Sequence, residues 1–500
     1  MSVGKVGIFM TKRKSKDNDI IVSSLGNSTD NVTGSCFSIS YPKDDNTRGL
    51  IILECGLSQD GHTPLEQYNS NKKMIDNISK EVIKNTEYVI FTHAHVDHVG
   101  NLSIFNSDNG FNGKILSTKK SIELSKELIK DSVYIHKKNL EYLKSKGKKL
   151  KPFYTEQQMY NMFEKMKSIE VGKEIVLNEN LTIILNNNSH CLGSCNITLR
   201  FRKPNNHIKT IIYSGDLGSQ INRNFSYYLE DQNIPKKCNM FISEATYCDK
   251  DRQMTKKQVI QDREELRILI KQAILEGRRV LFPTFAFSRS QQLLTMFYEW
   301  FKDEEWFKNI PIVCDGVLIN NINSTYLKIL EDENKELFTN VMNWDNVKIN
   351  KNYDGTVALL SKKTCGIYIA SSGFLENGRV VDYLLQFIPS SKDIIVLTGY
   401  CGGEGSFGSK LLNNNQKTIT LEKHVLQKRC KVIQYLSFSS HISHDELLKL
   451  WNELNCDKIF VHHSGNKKLE FIDEAKNYLK DRNKTTKIIP VSKSSNQFIL

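Results

Sequence analysis

The chain has 500 residues and 39% of them are apolar, which suffices for two or three domains at about 150 residues per domain. That apolar content excludes a disordered chain, and cores of this size are stable without disulfide bonds. Lys and Arg number 69 and Asp and Glu 56, so the net charge is +13. A positive surplus of this size favours a polyanionic partner such as nucleic acid or an anionic membrane surface.

The chain carries no sequence signal for a membrane span or for export. No stretch reaches the ~18 consecutive apolar residues of a spanning helix. The apolar residues 6–10 are too few for a signal peptide and are followed by Lys12, Arg13 and Lys14. The 11 cysteines include no C-x-x-C pair, which favours reduced and buried thiols. We therefore expect a cytoplasmic protein without a membrane segment.

The first half of the chain is predicted to form short strands separated by turns. Apolar or β-branched runs of strand length lie at 35–40, 50–54, 87–91, 181–185, 197–201 and 210–214. Helical spacing without proline predicts helices at 121–148 and 157–167.

From about residue 245 helices and strands alternate, as is typical of parallel βα units. A helix is predicted over 256–276, where Thr255 and Gln258 can form a capping box at its start. The later elements are predicted at 279–282, 290–301, 367–370, 393–397, 432–436 and 458–461.

Residues 93–98 read His-Ala-His-Val-Asp-His and directly follow the predicted strand 87–91. Four potential metal ligands within six residues are costly to bury unless they bind something. The alternation of an extended chain points His93 and His95 the same way, while Asp97 and His98 begin the next turn. Imidazole is the usual ligand of zinc and a carboxylate can bridge two ions. The segment is therefore predicted to hold two divalent cations.

This segment resembles the signature loop of the metallo-β-lactamase superfamily, and later segments supply similar elements in the family's order. His190, within Ser-His-Cys-Leu-Gly-Ser, matches the family's third-motif histidine. Asp216, within Ser-Gly-Asp-Leu-Gly, matches the carboxylate that bridges the two metals. The resemblance implies two ligand sets joined by that carboxylate: His93, His95 and His190 for one ion, and Asp97, His98 and His463 for the other.

The second half of the chain resembles the β-CASP branch of this superfamily, a group that processes nucleic acids. Residues 243–247 resemble its motif A, and 438–448 resemble its motif B, which contains His441. Residues 458–464 resemble motif C, a histidine after an apolar strand. Two histidines stand there. Ungapped comparison favours His463 as the ligand and would leave His462 on the opposite side of the strand, although His462 stays a candidate.

Further segments at 283–291, 371–379 and 399–408 resemble turns of the same family and imply that Ser372, Gly373 and Ser406 contact substrate. The chain departs from the family's pattern at two places. Glu54 stands where the family has an Asp that orients a metal-binding histidine. Asp315 is followed by Gly-Val, where a Ser-Pro pair is common.

The fold implied by the resemblance is α/β: an αββα metallo-β-lactamase sandwich interrupted by an inserted α/β β-CASP domain. We expect residues 1–244 and 426–500 to form the sandwich and 245–425 the insertion. The cleft between them would hold single-stranded RNA, and homodimerisation is common in the family.

The implied activity is that of a ribonuclease dependent on two Zn²⁺ ions, or on Mn²⁺, that cuts single-stranded RNA internally. His441 is the expected general acid for the leaving group, Glu244 its orienting partner and Asp97 a catalytic metal-binding carboxylate. An exonuclease or a DNase would use the same residues. Two competing hypotheses are a non-catalytic RNA-binding scaffold and a hydrolase of small esters or lactams.

Overall fold

The computed structural model of the chain describes residues 18–28, 32–61, 63–250, 253–403, 405–492 and 496–500. The apolar segment at 6–10 lies outside the described residues. Within the described ranges the strands are β1 (Ile21–Ser24), β2 (Phe37–Pro42), β3 (Arg48–Leu53), β4 (Tyr88–Ile90), β5 (Lys114–Ser117), β6 (Met166–Ser168), β7 (Glu174–Asn178), β8 (Leu181–Asn187), β9 (Cys195–Arg202), β10 (Ile208–Tyr213), β11 (Lys237–Ala245), β12 (Arg279–Pro283), β13 (Ile312–Asp315), β14 (Val347–Asn350), β15 (Gly366–Ala370), β16 (Ile394–Leu397), β17 (Thr418–Leu421), β18 (His424–Gln427), β19 (Lys431–Gln434), β20 (Asn455–Ser464), β21 (Lys487–Pro490) and β22 (Gln497–Ile499).

Within the same ranges, no helix is both long enough and apolar enough to cross a membrane. The helices are α1 (Pro64–Asp76), α2 (Lys80–Asn85), α3 (Val96–Val99), α4 (Lys119–Ser145), α5 (Glu156–Phe163), α6 (Gln220–Arg223), α7 (Lys256–Leu275), α8 (Arg289–Phe301), α9 (Val317–Ile329), α10 (Asp332–Asn343), α11 (Tyr353–Lys362), α12 (Val380–Phe387), α13 (Phe407–Leu412), α14 (His444–Glu453) and α15 (Lys468–Lys480).

Two seven-stranded sheets pack face to face, in the orders β22-β1-β2-β3-β4-β5-β6 and β21-β20-β11-β10-β9-β8-β7. Alternate residues of each strand face the layer between the sheets, as Ile51 and Leu53 do beside Ile211 and Tyr213. The intervening residue Ile52 faces the opposite way, into a core that also contains residues of α1, α4 and α5. Helices α14 and α15 cover the outer face of the second sheet. The predicted αββα sandwich is therefore confirmed.

The third sheet is parallel and has six strands, in the order β14-β13-β15-β12-β16-β19. Helices α7 to α10 cover one of its faces and α12 and α13 cover the other. Because both faces are covered, its central strands are almost continuously buried, as expected for a doubly wound sheet. This confirms the inserted α/β unit. Its last strand, β19, lies beyond residue 425, so the sheet includes chain that the predicted boundary assigned to the returning segment.

One predicted helix is wrong at its end. The helix expected over 157–167 ends at Phe163, and residues Met166–Ser168 form the edge strand β6 beside β5. The amide of Ile115 donates to the carbonyl of Lys165, so main-chain pairing at the sheet edge overrides the helical periodicity of this segment.

The fold brings the ends of several strands to one edge of the sandwich. His93 and His95 follow β4, Asp216 follows β10, and Glu244 and His463 lie near the ends of β11 and β20. Strands β10, β11 and β20 run parallel, so their carboxyl ends lie side by side. Side chains that are far apart in sequence therefore converge there.

Candidate metal centre

The loop after β4 is held by main-chain hydrogen bonds before any ligand is considered. The amide of Ser35 donates to the carbonyl of Asp97, and the amide of Cys55 donates to that of His98. Gly56 packs so closely beneath the loop that a Cβ atom there would lie 1.6 Å from the Asp97 carbonyl oxygen. A glycine is therefore required at this position for the loop to adopt its shape.

Three histidines form the first cluster. Potential ligand atoms of His93, His95 and His190, together with the Cys191 thiol, all lie within 4.8 Å of one another. The His190 Nε2 atom is 3.3 Å from His95 Nδ1. Burial raises the pKa of the Cys191 thiol, which disfavours the thiolate that a metal ion would require. The three imidazoles are thus the better ligands of this cluster.

The second cluster combines Asp97, His98 and His463 with Asp216, again within 4.8 Å. His463 Nε2 lies 3.4 Å from Asp97 Oδ2, although 366 residues separate them in sequence. His98 Nε2 lies 3.7 Å from the same oxygen. The predicted ligand set is therefore brought together, and the two clusters divide it as the resemblance implies.

Asp216 stands between the two clusters and turns one carboxylate oxygen toward each. Oδ2 lies 3.6 Å from His93 Nε2 and 3.7 Å from His190 Nε2. Oδ1 lies 3.3 Å from His98 Nε2 and 3.5 Å from His463 Nδ1. This is the arrangement that a carboxylate bridging two cations requires.

The donor atoms fit metal ions. His93 Nε2, His98 Nε2 and Asp216 Oδ1 are buried and have no hydrogen-bond partner among the described residues. Buried polar atoms left without a partner are costly, and several of them converging on one point are satisfied by a shared ion. Imidazole nitrogens with carboxylate oxygens suit zinc or a related divalent ion.

Glu54 orients two of the imidazoles. Its Oε1 atom accepts hydrogen bonds from the Thr92 amide at 3.1 Å and the Thr92 hydroxyl at 2.6 Å, and lies 3.4 Å from His98 Nδ1. The Thr92 oxygen lies 2.9 Å from His93 Nδ1. Since that hydroxyl donates to Glu54, His93 Nδ1 must donate to it, which leaves His93 Nε2 unprotonated toward the cluster.

Glu54 has a left-handed φ of 63°, which is uncommon for a residue other than glycine. Burial raises the pKa of Glu54, opposed by His98. Burial lowers the pKa of His98, but Asp216, Asp97 and Glu54 raise it by more than burial lowers it. The pKa of His98 therefore lies well above its usual value. The centre thus has an excess of negative charge that a cation would neutralise.

His441 lies beside the two clusters of potential metal ligands and is held by Glu244. Its Nδ1 atom lies 3.2 and 3.3 Å from the two Glu244 oxygens, and its ring centroid is 4.6 Å from that of His190. Burial lowers the pKa of His441, but the Glu244 carboxylate outweighs this and raises it to about 10. Glu244 is itself fixed by the backbone amides of Leu217 and Thr246.

Two domain models of known families match the second half of the chain. Residues 290–411 match the Beta-Casp domain model, and residues 425–491 match a model described as the Zn-dependent metallo-hydrolase RNA specificity domain. These matches, with the ribonuclease relatives that follow, support the β-CASP branch of the metallo-β-lactamase superfamily as the family of this chain. The resemblance of its motifs is thereby confirmed.

The named relatives are distant, but they align over most of the chain. The chain is 24% identical to Ribonuclease TTHA0252 of Thermus thermophilus over 82% of its length, and 26% identical to the RNase J-like protein of Methanocaldococcus jannaschii over 83%. It spans 87% of each of these relatives. It is 23% identical to Endoribonuclease YSH1 of Candida glabrata over 90% of its length, but spans only 55% of that protein.

The predicted substrate contacts Ser372, Gly373 and Ser406 belong to the β-CASP unit. Ser372 and Gly373 follow β15, and Ser406 caps α13 through its hydroxyl, which accepts from the Ser409 amide. Among the described residues, no hydrogen bond or ring contact joins these three to the histidine clusters. Their role in binding substrate therefore stays a prediction.

Asp315, where the chain departs from the family's pattern, is tied into the fold. Its Oδ2 atom accepts a hydrogen bond from the Tyr383 hydroxyl at 2.7 Å, and Oδ1 accepts from Asn350 and Thr356. Arg379 lies 3.8 Å away. These partners satisfy the carboxylate without a ligand.

His462 and His463 point into different surroundings. The His463 imidazole faces the second cluster, whereas His462 is 1% exposed and lies between Phe37 and Tyr213, with ring centroids 4.9 and 5.4 Å away. Neither ring nitrogen of His462 has a hydrogen-bond partner in the described part of the chain. Burial lowers its pKa, so the ring is neutral. These contacts favour His463 as the ligand.

We expect His462→Phe to leave the metal content unchanged and to keep or raise the free energy of unfolding, by up to about 2 kcal/mol, because an unpaired buried polar group is removed. Urea unfolding and metal analysis of the purified protein check this. His463→Phe is the matched variant and should lose metal. If His462→Phe lost metal and His463→Phe kept it, the two assignments would be reversed.

Proposed function

We propose that the protein is a zinc-dependent ribonuclease that cleaves single-stranded RNA internally, using two metal ions. The main observation in support of this proposal is the pair of ligand clusters that share Asp216, with the His441–Glu244 pair beside them. The family model for residues 425–491 names zinc and RNA in its description, and the relatives are named ribonucleases. The net charge of +13 suits a polyanionic substrate that is held through its backbone phosphates.

Two bound divalent ions would supply a nucleophile at neutral pH and stabilise negative charge on the phosphate oxygens. Side chains of the protein would orient the metal ligands and protonate the leaving group. Glu54, through Thr92, keeps the His93 imidazole in one orientation. His441 is 19% exposed and uses Nδ1 for Glu244, which leaves Nε2 for the leaving oxygen. A protonated His441 can therefore donate its Nε2 proton to that oxygen.

The first test is cleavage of 5′-labelled single-stranded RNA in the presence of Zn²⁺ or Mn²⁺. We expect internal cuts that Asp97→Ala removes, since that carboxylate lies against both His98 and His463. A DNA strand of the same sequence tests the substrate class in parallel. Release of mononucleotides alone would replace the internal mode by an exonucleolytic one. Tight RNA binding without cleavage in either metal would overturn the catalytic proposal in favour of a scaffold.

A further inference from the structure

Two arginines lie against the same aromatic ring next to the metal centre. The guanidinium carbon of Arg263, on α7, is 3.7 Å from the ring centroid of Phe438, and that of Arg289, at the start of α8, is 5.6 Å from it. Phe438 is 3% exposed and precedes His441 by three residues. Stacking on an aromatic face fixes a guanidinium and leaves its edge for other partners.

The position of this pair relative to the metal centre follows from two further contacts. Phe287, two residues before Arg289, has its ring centroid 5.1 Å from that of His95. Tyr247, whose charge interaction affects Arg289, has its ring centroid 5.4 Å from that of His441. The two arginines therefore lie close to residues that pack against His95 and His441.

Neither guanidinium of this pair forms an ion pair with a carboxylate in the described part of the chain. Asp262 is the neighbour of Arg263 in sequence, but the two side chains do not form a salt bridge. Arg263 donates only to the Met296 sulfur at 3.0 Å and the Ser437 carbonyl at 3.4 Å, and its Nε atom is buried without a partner. A guanidinium has five N–H donors, so most of this capacity is unused.

Arg279 is an arginine with a structural role in the same fold, and it differs from Arg263 and Arg289 in having a carboxylate partner. It also stacks on an aromatic ring, that of Phe387 at 4.4 Å, but it is paired with both oxygens of Asp393. Arg263 and Arg289 have no such carboxylate partner among the described residues, and burial lowers the pKa of Arg263 to about 9 and that of Arg289 to about 10. Two guanidinium groups stacked on one ring beside the candidate metal centre, without a carboxylate partner among the described residues, indicate a ligand that supplies negative charge.

We propose that Arg263 and Arg289, aligned by Phe438, bind a backbone phosphate of the RNA strand beside the bond that is cut. This inference rests on the proposed ribonuclease function. A phosphate matches the planar fork of a guanidinium and is the group that RNA presents at every nucleotide, whatever its sequence. The site contributes affinity and register of the strand relative to His441, without base specificity.

The test compares Arg263→Met and Arg289→Met with Arg267→Met. Arg267 lies one turn further along α7, is partly exposed and pairs with Glu264, so it is a matched control on the same helix. Methionine keeps an apolar stem against Phe438 while removing the charge. We expect each test variant to raise KM for single-stranded RNA about tenfold with kcat changed less than about threefold, and the control to match wild type.

A second readout is the salt dependence of RNA binding, measured with the same substitutions in an Asp97→Asn background that does not cleave. Loss of one phosphate contact should reduce the slope of log K against log salt by about 0.7 to 1. Arg263→Lys, which keeps the charge but not the fork, should retain the slope and recover part of the affinity. Thermal melting shows that each variant is folded.

Unchanged KM and unchanged salt slope in both methionine variants would overturn the phosphate site while leaving the ribonuclease intact. A fall in kcat alone, with both binding readouts unchanged, would also overturn it, since the arginines would then act only by positioning His441 through Phe438. If wild-type protein neither bound nor cut RNA, the failure would lie with the proposed function itself.

Discussion

Replacing Asp216 by Asn is expected to lower kcat/KM for RNA cleavage by about a thousandfold. The two oxygens of Asp216 face different clusters, so an amide would turn an NH₂ group toward one cluster and remove the charge shared by both. Stabilisation through bound metal amounts to several kcal/mol, and about 4 kcal/mol corresponds to three orders of magnitude in rate. Steady-state cleavage of a labelled RNA and metal analysis of the purified variant measure the two effects.

Asp76→Asn is the matched control, because Asp76 is an exposed helix residue that pairs only with Lys72 among its described contacts. It should retain wild-type activity and metal. Circular dichroism and thermal melting establish that the Asp216 variant is folded. Activity within tenfold of wild type, with normal metal content, would show that Asp216 does not bridge the clusters.

The local part of the site could be predicted from sequence alone. Residues 93–98 place four potential ligands, three His and one Asp, directly after a strand, and such a cluster indicates metal binding without a structure. The partners His190, Asp216 and His463 are different, because each is isolated in its own segment. They meet the loop only through the order of strands in two sheets, and family resemblance was the sole sequence signal for them.

The middle of the second sheet was harder to predict. Strand β11 pairs with β10 on one side and β20 on the other, yet its sequence Lys-Cys-Asn-Met-Phe-Ile-Ser-Glu-Ala has polar residues near both ends and no clear alternation. A strand buried on both faces loses the alternating pattern that identifies one covered on a single face. Glu244 near its end was found through its motif and not through its secondary structure.

Contacts between side chains of different segments could not be predicted from the sequence. Thr92 links Glu54 to His93, but as a residue it is simply a threonine at a strand end. Arg263 lies 175 positions before Phe438, and only the packing of α7 beside motif B brings them together. Such pairs depend on tertiary packing, which periodicity and composition do not encode.

The pairing of His441 with Glu244 predicts different losses for different leaving groups. His441→Ala should slow RNA cleavage by about a hundredfold to ten-thousandfold, the usual contribution of a general acid. A diester with a p-nitrophenolate leaving group needs no proton, so its hydrolysis should be much less affected. Asp216→Asn should impair both substrates equally. If His441→Ala slowed both substrates to the same extent, the residue would serve the metal centre and not the leaving group.

Glu244→Gln tests the same pair through pH. The carboxylate raises the pKa of His441 to about 10, so wild-type His441 is protonated throughout the neutral range. Without that charge, burial is left to lower the pKa, by about one to three units relative to wild type. Because the acid must be protonated to act, the alkaline limb of kcat against pH should move to lower pH by that amount. A loss of rate that is uniform across pH would instead assign Glu244 a purely structural role, through its hydrogen bonds from Leu217 and Thr246.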